Sequence, residues 1–179
     1  MSEFVNYKKR SITLPPGCKN LIDVLQGHGL PADGPPIVTR GESFAGRLSD
    51  IEKYVAKVFE SRAWSFILFM TPPDEQFTIH VDRMDGMMEA SVMVQTGTDQ
   101  ERAVHSFFAS RGLDIPKNSE MPPQFLPDVP VQVTCDILPF PTEAPLLSKL
   151  VAEMLREAFG LSDDSRLCFR CYEIRDTPH

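Results

Sequence analysis

The chain reads as an α+β fold, with a mixed, mostly antiparallel sheet and helices packed on one face. The sheet is a three-strand meander plus two further strands. Three observations predict this. Strand-like runs follow one another directly instead of alternating one-for-one with helices, which argues against a parallel sheet. One pair of runs is joined by Asp85-Gly86, a dipeptide favoured in two-residue hairpin turns. Helical segments begin with side chains able to cap their free amides.

In order, "FVNYKKRSITL" mixes β-branched and aromatic residues with charges and predicts a short edge strand. "PPG" breaks the chain before "CKNLIDVLQ", a short helix with Leu21, Ile22 and Leu25 on one face and Gly27 at its end. Gly27 to Pro36 is an irregular loop dense in glycine and proline. Ser49-Asp50-Ile51-Glu52 has capping-box spacing and leads into Ile51, Tyr54, Val55, Val58 and Phe59 at helical period. Thr98 to Glu101 repeats the box ahead of Val104, Phe107 and Phe108, with Gly112 as the stop. The last helix starts near Thr142 with Pro145 in its first turn, where a missing amide hydrogen costs nothing. Its stripe runs Leu147, Leu150, Val151, Met154, Leu155, Ala158 and ends at Gly160.

Among the strands, Trp64 to Met70 is apolar on both faces and belongs inside the sheet. "QFTIHVDR" and "EASVMVQ" form the hairpin around Asp85-Gly86; Val131 to Leu138 and Arg166 to Ile174 are the two further strands. The whole is expected to be a single α+β domain over residues 1–179, with 1–47 as lead-in strand, short helix and loop, and 48–179 as core.

Composition narrows the classes of function. A net charge of −7 disfavours nucleic acid and anionic membrane surfaces, whose phosphates call for a basic patch. No stretch approaches the roughly 20 apolar residues of a membrane span, and the N-terminus lacks the apolar run of a secretory signal. With four cysteines and no export signal, a cytoplasmic location with reduced thiols is the expectation.

Strand parity assigns faces. A two-residue hairpin sets Asp82 opposite Glu89, His80 opposite Ser91 and Ile79 opposite Val92. One face carries Phe77, Ile79, Val81, Ala90, Val92, Val94, Val131, Val133, Cys135, Ile137, Leu167, Phe169 and Cys171. The other carries Thr78, His80, Asp82, Glu89, Ser91, Met93, Gln132, Thr134, Asp136, Arg166, Cys168, Arg170 and Tyr172. Cys168 and Cys171 are spaced like a metal or redox pair, yet residues three apart on a strand point to opposite faces. They are expected to be structural neighbours that share neither a metal nor a disulfide. Trp64, Phe66 and Leu68 on the fully apolar strand imply that part of the second face is covered as well.

This second face is either ordinary solvent surface or a binding surface, and Thr78, His80, Asp82, Glu89, Ser91, Arg166, Arg170 and Tyr172 are its candidate binding residues. The leading reading is a non-enzymatic adaptor or chaperone-like protein that binds another protein or peptide through this face and the proline-rich loops, with no cofactor. Over Ser49 to Leu113 the order of helix, meander and further helix is similar to that of secretion-chaperone-like proteins, a likeness of layout. The competing reading is a small enzyme. Cys18, at the expected start of a helix beside Lys19, is one candidate nucleophile. His80 is the other candidate reactive group, and His80, Asp82 and Glu89 form an alternative acid–base or metal set. No nucleophile elbow and no glycine-rich phosphate loop occurs. His28 reads as a loop residue and His105 as a helix-surface residue.

Two further segments stay open between roles. Asp114 to Pro130 is a long proline-rich connector, read either as a rigid crossover or as an interaction surface. Met84, Met87 and Met88 at the hairpin tip either cap the core or form a contact surface, such as that of a homodimer.

Overall fold

The computed structural model describes residues 4–5, 38–74, 76–84, 86–113, 117–120, 132–137 and 140–175. The described strands are β1 (Phe4–Val5), β2 (Val38–Arg47), β3 (Ser65–Thr71), β4 (Phe77–Met84), β5 (Met87–Gln95), β6 (Lys117–Glu120), β7 (Gln132–Asp136), β8 (Phe140–Pro141) and β9 (Arg166–Arg175). The helices are α1 (Ile51–Glu60), α2 (Asp99–Ala109) and α3 (Ala144–Phe159). Six long strands and the short, bulged β6 form one sheet in the order β2-β9-β3-β4-β5-β7-β6, and every pairing in it is antiparallel. β1 pairs with β8 as a separate two-stranded ribbon.

Parity organises the core as expected. The buried cluster unites Phe77, Ile79, Val81, Ala90, Val92, Val94, Val133, Cys135, Ile137, Leu167, Phe169 and Cys171 with the helix stripes of α1, α2 and α3. All of these strand residues share one parity, so the three helices lie on one side of the sheet. α3 packs against both α1 and α2. Arg111 ties α2 to α3 by lying over the Phe107 ring at 3.7 Å and pairing with Glu157 at 2.6 Å.

The expected hairpin register is observed: Ile79 pairs with Val92, His80 with Ser91 and Asp82 with Glu89, around a turn in which Gly86 has φ 76°. β3, apolar on both faces, lies between β9 and β4 at the middle of the sheet. It runs from Ser65 to Thr71, one residue later than the sequence indicates.

The helix starts divide. At α2 half of the box forms: Thr98 Oγ1 accepts from the Glu101 amide, while the Glu101 carboxylate accepts from the amide of Gly97, one residue before the N-cap, at 2.6 Å. Ahead of α1 the Ser49–Glu52 box does not form. A 3-10 turn, Leu48–Asp50, precedes the helix, and the Asp50 carboxylate accepts from the Arg47 amide at 2.8 Å. An extra turn moves the capping carboxylate two residues upstream. The other end of α1 is held by the sheet, since the Arg83 guanidinium donates to the carbonyls of Phe59 and Ser61. α3 ends as its sequence requires. Gly160 takes φ 66°, and the amides of Gly160 and Leu161 return to the carbonyls of Arg156 and Leu155.

Three expectations need correction. The core begins earlier than residue 48, because β2 pairs with β9 over ten registered positions from Val38 to Arg47. The connector from Asp114 to Pro130 is interrupted by β6, which pairs with β7 across a bulge. His105 is more than a surface residue: its Nε2 lies 3.7 Å from the buried Cys135 Sγ, fastening α2 to β7. The helix expected over Cys18 to Gln26, the loop from Gly27 to Pro36 with His28, and Cys18 itself lie outside the described residues.

Candidate functional site

On the second face the registers build two rows that cross the sheet. One runs Ser43, Arg170, Phe69, His80, Ser91, Asp136; the next runs Gly41, Tyr172, Ile67, Asp82, Glu89. All eight expected binding residues, Thr78, His80, Asp82, Glu89, Ser91, Arg166, Arg170 and Tyr172, have this parity. They do not form one uniform surface.

The centre is buried. Ile67 is 0% exposed, Ile174 1% and Ser65 0%, and all three sit on the face opposite the helices. Asp82, Ser91, Thr71 and Met84 are buried beside them. The second face is therefore covered in part, as β3's composition implies, but through Ser65, Ile67 and Thr71. Phe66 and Leu68 turn instead toward the helix side, where Leu68 pairs in register with Val81 and Cys171. The methionine trio straddles the sheet: Met84 is buried on the second face, while Met88 packs against the helix-side core. These two cap the end of the layer.

Within this buried centre, His80 stacks on Phe69 with ring centroids 5.0 Å apart, and Phe69 meets Tyr172 edge-on at 5.9 Å. Tyr172 can lie flat toward β2 because Gly41 is its registered partner; a Cβ there would come within 3.1 Å of the Tyr172 ring. The buried His80 Nε2 has no hydrogen-bond partner and lies 3.6 Å from Asp82 Oδ2, beyond hydrogen-bond reach. Burial lowers the His80 imidazole to a pKa of about 4. Burial, then the opposed Glu89 carboxylate, raises Asp82 to about 7; a hydrogen bond from the Glu89 amide opposes this and Asp136 adds to it. Around pH 6 the pair therefore consists of a neutral imidazole and a carboxylic acid. Among the described residues, no group of three His, Cys, Asp or Glu side chains is arranged to hold a metal ion, His80, Asp82 and Glu89 included.

The β2–β9 flank is open. Gly41, Ser43, Ala45 and Arg47 alternate as exposed residues along β2, opposite Tyr172, Arg170, Cys168 and Arg166. A cleft of about 600 Å³ lies at one end of this flank, lined by Ser43, Ala45, Arg47, Arg166 and Cys168 of the second face together with Phe44, Gly46 and Leu167 of the other parity, Asp50 of the 3-10 turn, and Pro73. A second cleft of about 280 Å³ shares Pro73 and Arg166 and continues past Phe77 and Phe159. Arg47 and Arg166 are registered partners, a like-charge opposition that a nearby anion would relieve. Arg47 has one in Asp164 at 2.6 Å. The Arg166 guanidinium pairs with no other described residue.

Cys168 and Cys171 divide as parity requires: Cys171 is buried in the helix-side core, and Cys168 lines the cleft on the opposite face. Both are free thiols. Burial pushes the Cys171 thiol above its usual range, which makes it a poor nucleophile. The second-face positions of β2 were not identified from sequence. "RGESFAGR" carries two glycines and a single large apolar residue, Phe44, so its alternation is faint. Among the described residues no helix is long and apolar enough to cross a membrane. Comparison with protein-family models, curated proteins and solved structures finds no match to this chain.

Proposed function

We propose that the chain is a binding protein without catalytic activity, which holds an extended segment of another protein or peptide on the open β2–β9 flank. The supporting observation is the registered opposition of Arg47 and Arg166 on strands that also bring the small Ser43 and Ala45 to the same cleft. Ser43 and Ala45 leave room for an incoming backbone, and Arg166 offers a fork of donors suited to a carboxylate. A partner that brings one acidic side chain to Arg166 would compensate the second cation as Asp164 compensates the first.

The test is affinity capture from the source cell with wild type, Arg166→Glu, Ala45→Trp and a control charge reversal on α3, Lys149→Glu. The reading expects a partner held by wild type and by Lys149→Glu and released by both cleft variants. A partner retained by both cleft variants overturns it.

One observation favours a second reading, a small enzyme working through His80 and Asp82. Burial shifts these two groups in opposite directions, the arrangement that acid–base chemistry uses. Neither of the two clefts described above is lined by His80 or Asp82.

A further inference from the structure

We infer that the outer edge of β2 is a self-pairing site, where a second copy of this chain adds its own β2 antiparallel and continues the sheet across a twofold axis. The two borders of the seven-stranded sheet differ in a way that points there. β6 is four residues long, shifts register between Lys117 and Ser119, and carries a lysine, all of which discourage edge pairing. β2 has none of these protections. It pairs with β9 over ten consecutive positions without a register shift, and it contains neither proline nor lysine. Among the described residues no strand pairs with its outer side. On a regular border strand, alternate residues turn their amide and carbonyl groups outward, which makes a template for another strand.

The sequence names the strand that fits. Val38 to Phe44 reads VTRGESF, a chemical palindrome about Gly41: apolar, hydroxyl, cation, glycine, anion, hydroxyl, apolar. Pairing two copies antiparallel about an axis at Gly41 sets Val38 opposite Phe44, Thr39 opposite Ser43 and Arg40 opposite Glu42, each pair occurring twice. The even-numbered positions lie on the helix side and the odd-numbered ones on the second face, so both layers continue across the axis. Phe44 is only partly buried, packed on Tyr54 with the Lys57 ammonium 4.7 Å from its ring centroid, and an opposed valine would cover more of it. Glu42 has interactions within its own chain as well, and a cation opposite it adds to them.

The match holds in one register. An axis at Arg40 would oppose two guanidiniums, and an axis at Glu42 would oppose two carboxylates. The paired stretch ends at Phe44, so Ala45 and Arg47 at the cleft stay clear of the ladder. Self-pairing and the holding of a segment on the flank are therefore compatible and can fail separately.

The experiment is sedimentation of the full chain over a wide range of concentrations, for wild type, Arg40→Glu, Glu42→Arg and the double exchange. Wild type should pass reversibly from monomer to dimer as concentration rises. Each single reversal turns two attractive pairs into two repulsive ones and should weaken dimerisation by about tenfold or more, and the double exchange should restore it. A second measurement leaves the charges alone. Thr39→Cys chains mixed with Ser43→Cys chains should form a disulfide-linked pair on mild oxidation, beyond what either chain gives by itself, because opposed strand positions lie within disulfide reach. A wild type that stays monomeric throughout, a dimer indifferent to both reversals, a double exchange that fails to restore it, or no excess cross-link overturns the inference.

Discussion

Ile67 and Leu68 are neighbours on β3, both 0% exposed, and they face opposite sides of one sheet. Leu68 enters a layer whose buried strand residues are almost all apolar and which three amphipathic helices cover. Ile67 enters a strip in which Asp82 and Tyr172 are its registered partners and Ser65, His80 and Ser91 lie further along the same face. The first side is mainly hydrophobic packing. The second mixes apolar burial with titratable groups and leaves polar atoms unpaired, so the same degree of burial is conditional there. A protein can keep its stability on one face of a sheet and place its adjustable chemistry on the other.

The largest expected effect tests the first side. Phe169 is fully buried and stacks on Tyr54 with centroids 4.0 Å apart, so Phe169→Ala should cost about 3–5 kcal/mol in urea unfolding. A loss below about 1 kcal/mol would mean that the helix layer does not close over β9. Next comes the second side. Ile67→Ala should cost about 2–4 kcal/mol, close to the value for Leu68→Ala. If Ile67→Ala instead behaves as a surface change, within about 0.5 kcal/mol, the second face is simply wet and the contrast fails.

The third effect concerns pH and is smaller because two contributions oppose each other. Asp82 has its folded pKa raised from 3.8 to about 7, so its stabilising contribution is complete in acid and is lost as pH rises through that window. His80 has its folded pKa lowered from 6.5 to about 4, so its contribution is complete above the upper value and is lost as pH falls. Between about pH 4 and 6.5 the folded pair binds one proton, on Asp82, and the unfolded pair also binds one, on His80. Folding moves the proton from imidazole to carboxyl without changing the count, and wild-type stability should be nearly flat there. Each substitution should unmask the other group. Asp82→Asn should become more stable with rising pH over this range, and His80→Gln less stable, each by about 1 kcal/mol per unit at most. Parallel pH profiles for all three proteins would sink the account.

How much of this was legible follows from the same contrast. Parity rests on the chemistry of alternate residues, so the hairpin register, the helix-side core and the opposite orientations of Cys168 and Cys171 could be read directly. The Thr98–Glu101 cap was legible because both partners are local. β2 was not, because glycine, serine and alanine carry little pattern and its pairing partner lies more than a hundred residues away. Nor was the division of the second face into a buried centre and an open flank. Burial of polar residues depends on which strands lie at the middle, and strand order is a long-range property. The eight candidate binding residues were correctly given one face, yet only the structure separates Asp82 and Ser91 from Arg166 and Arg170.

The smallest expected effect tests that division. Ala45 shares the second face with Ile67 but is exposed, in register with Cys168 on β9, and both line the cleft. Ala45→Lys adds a long charged side chain that reaches solvent without displacing packed atoms, and lysine is tolerated on border strands. Stability should change by less than about 0.5 kcal/mol in urea unfolding. A cost of more than about 2 kcal/mol would require Ala45 to be packed as Ile67 is, extending the buried strip across β9 to β2. The open flank would then be lost, and with it the surface on which the proposed segment lies.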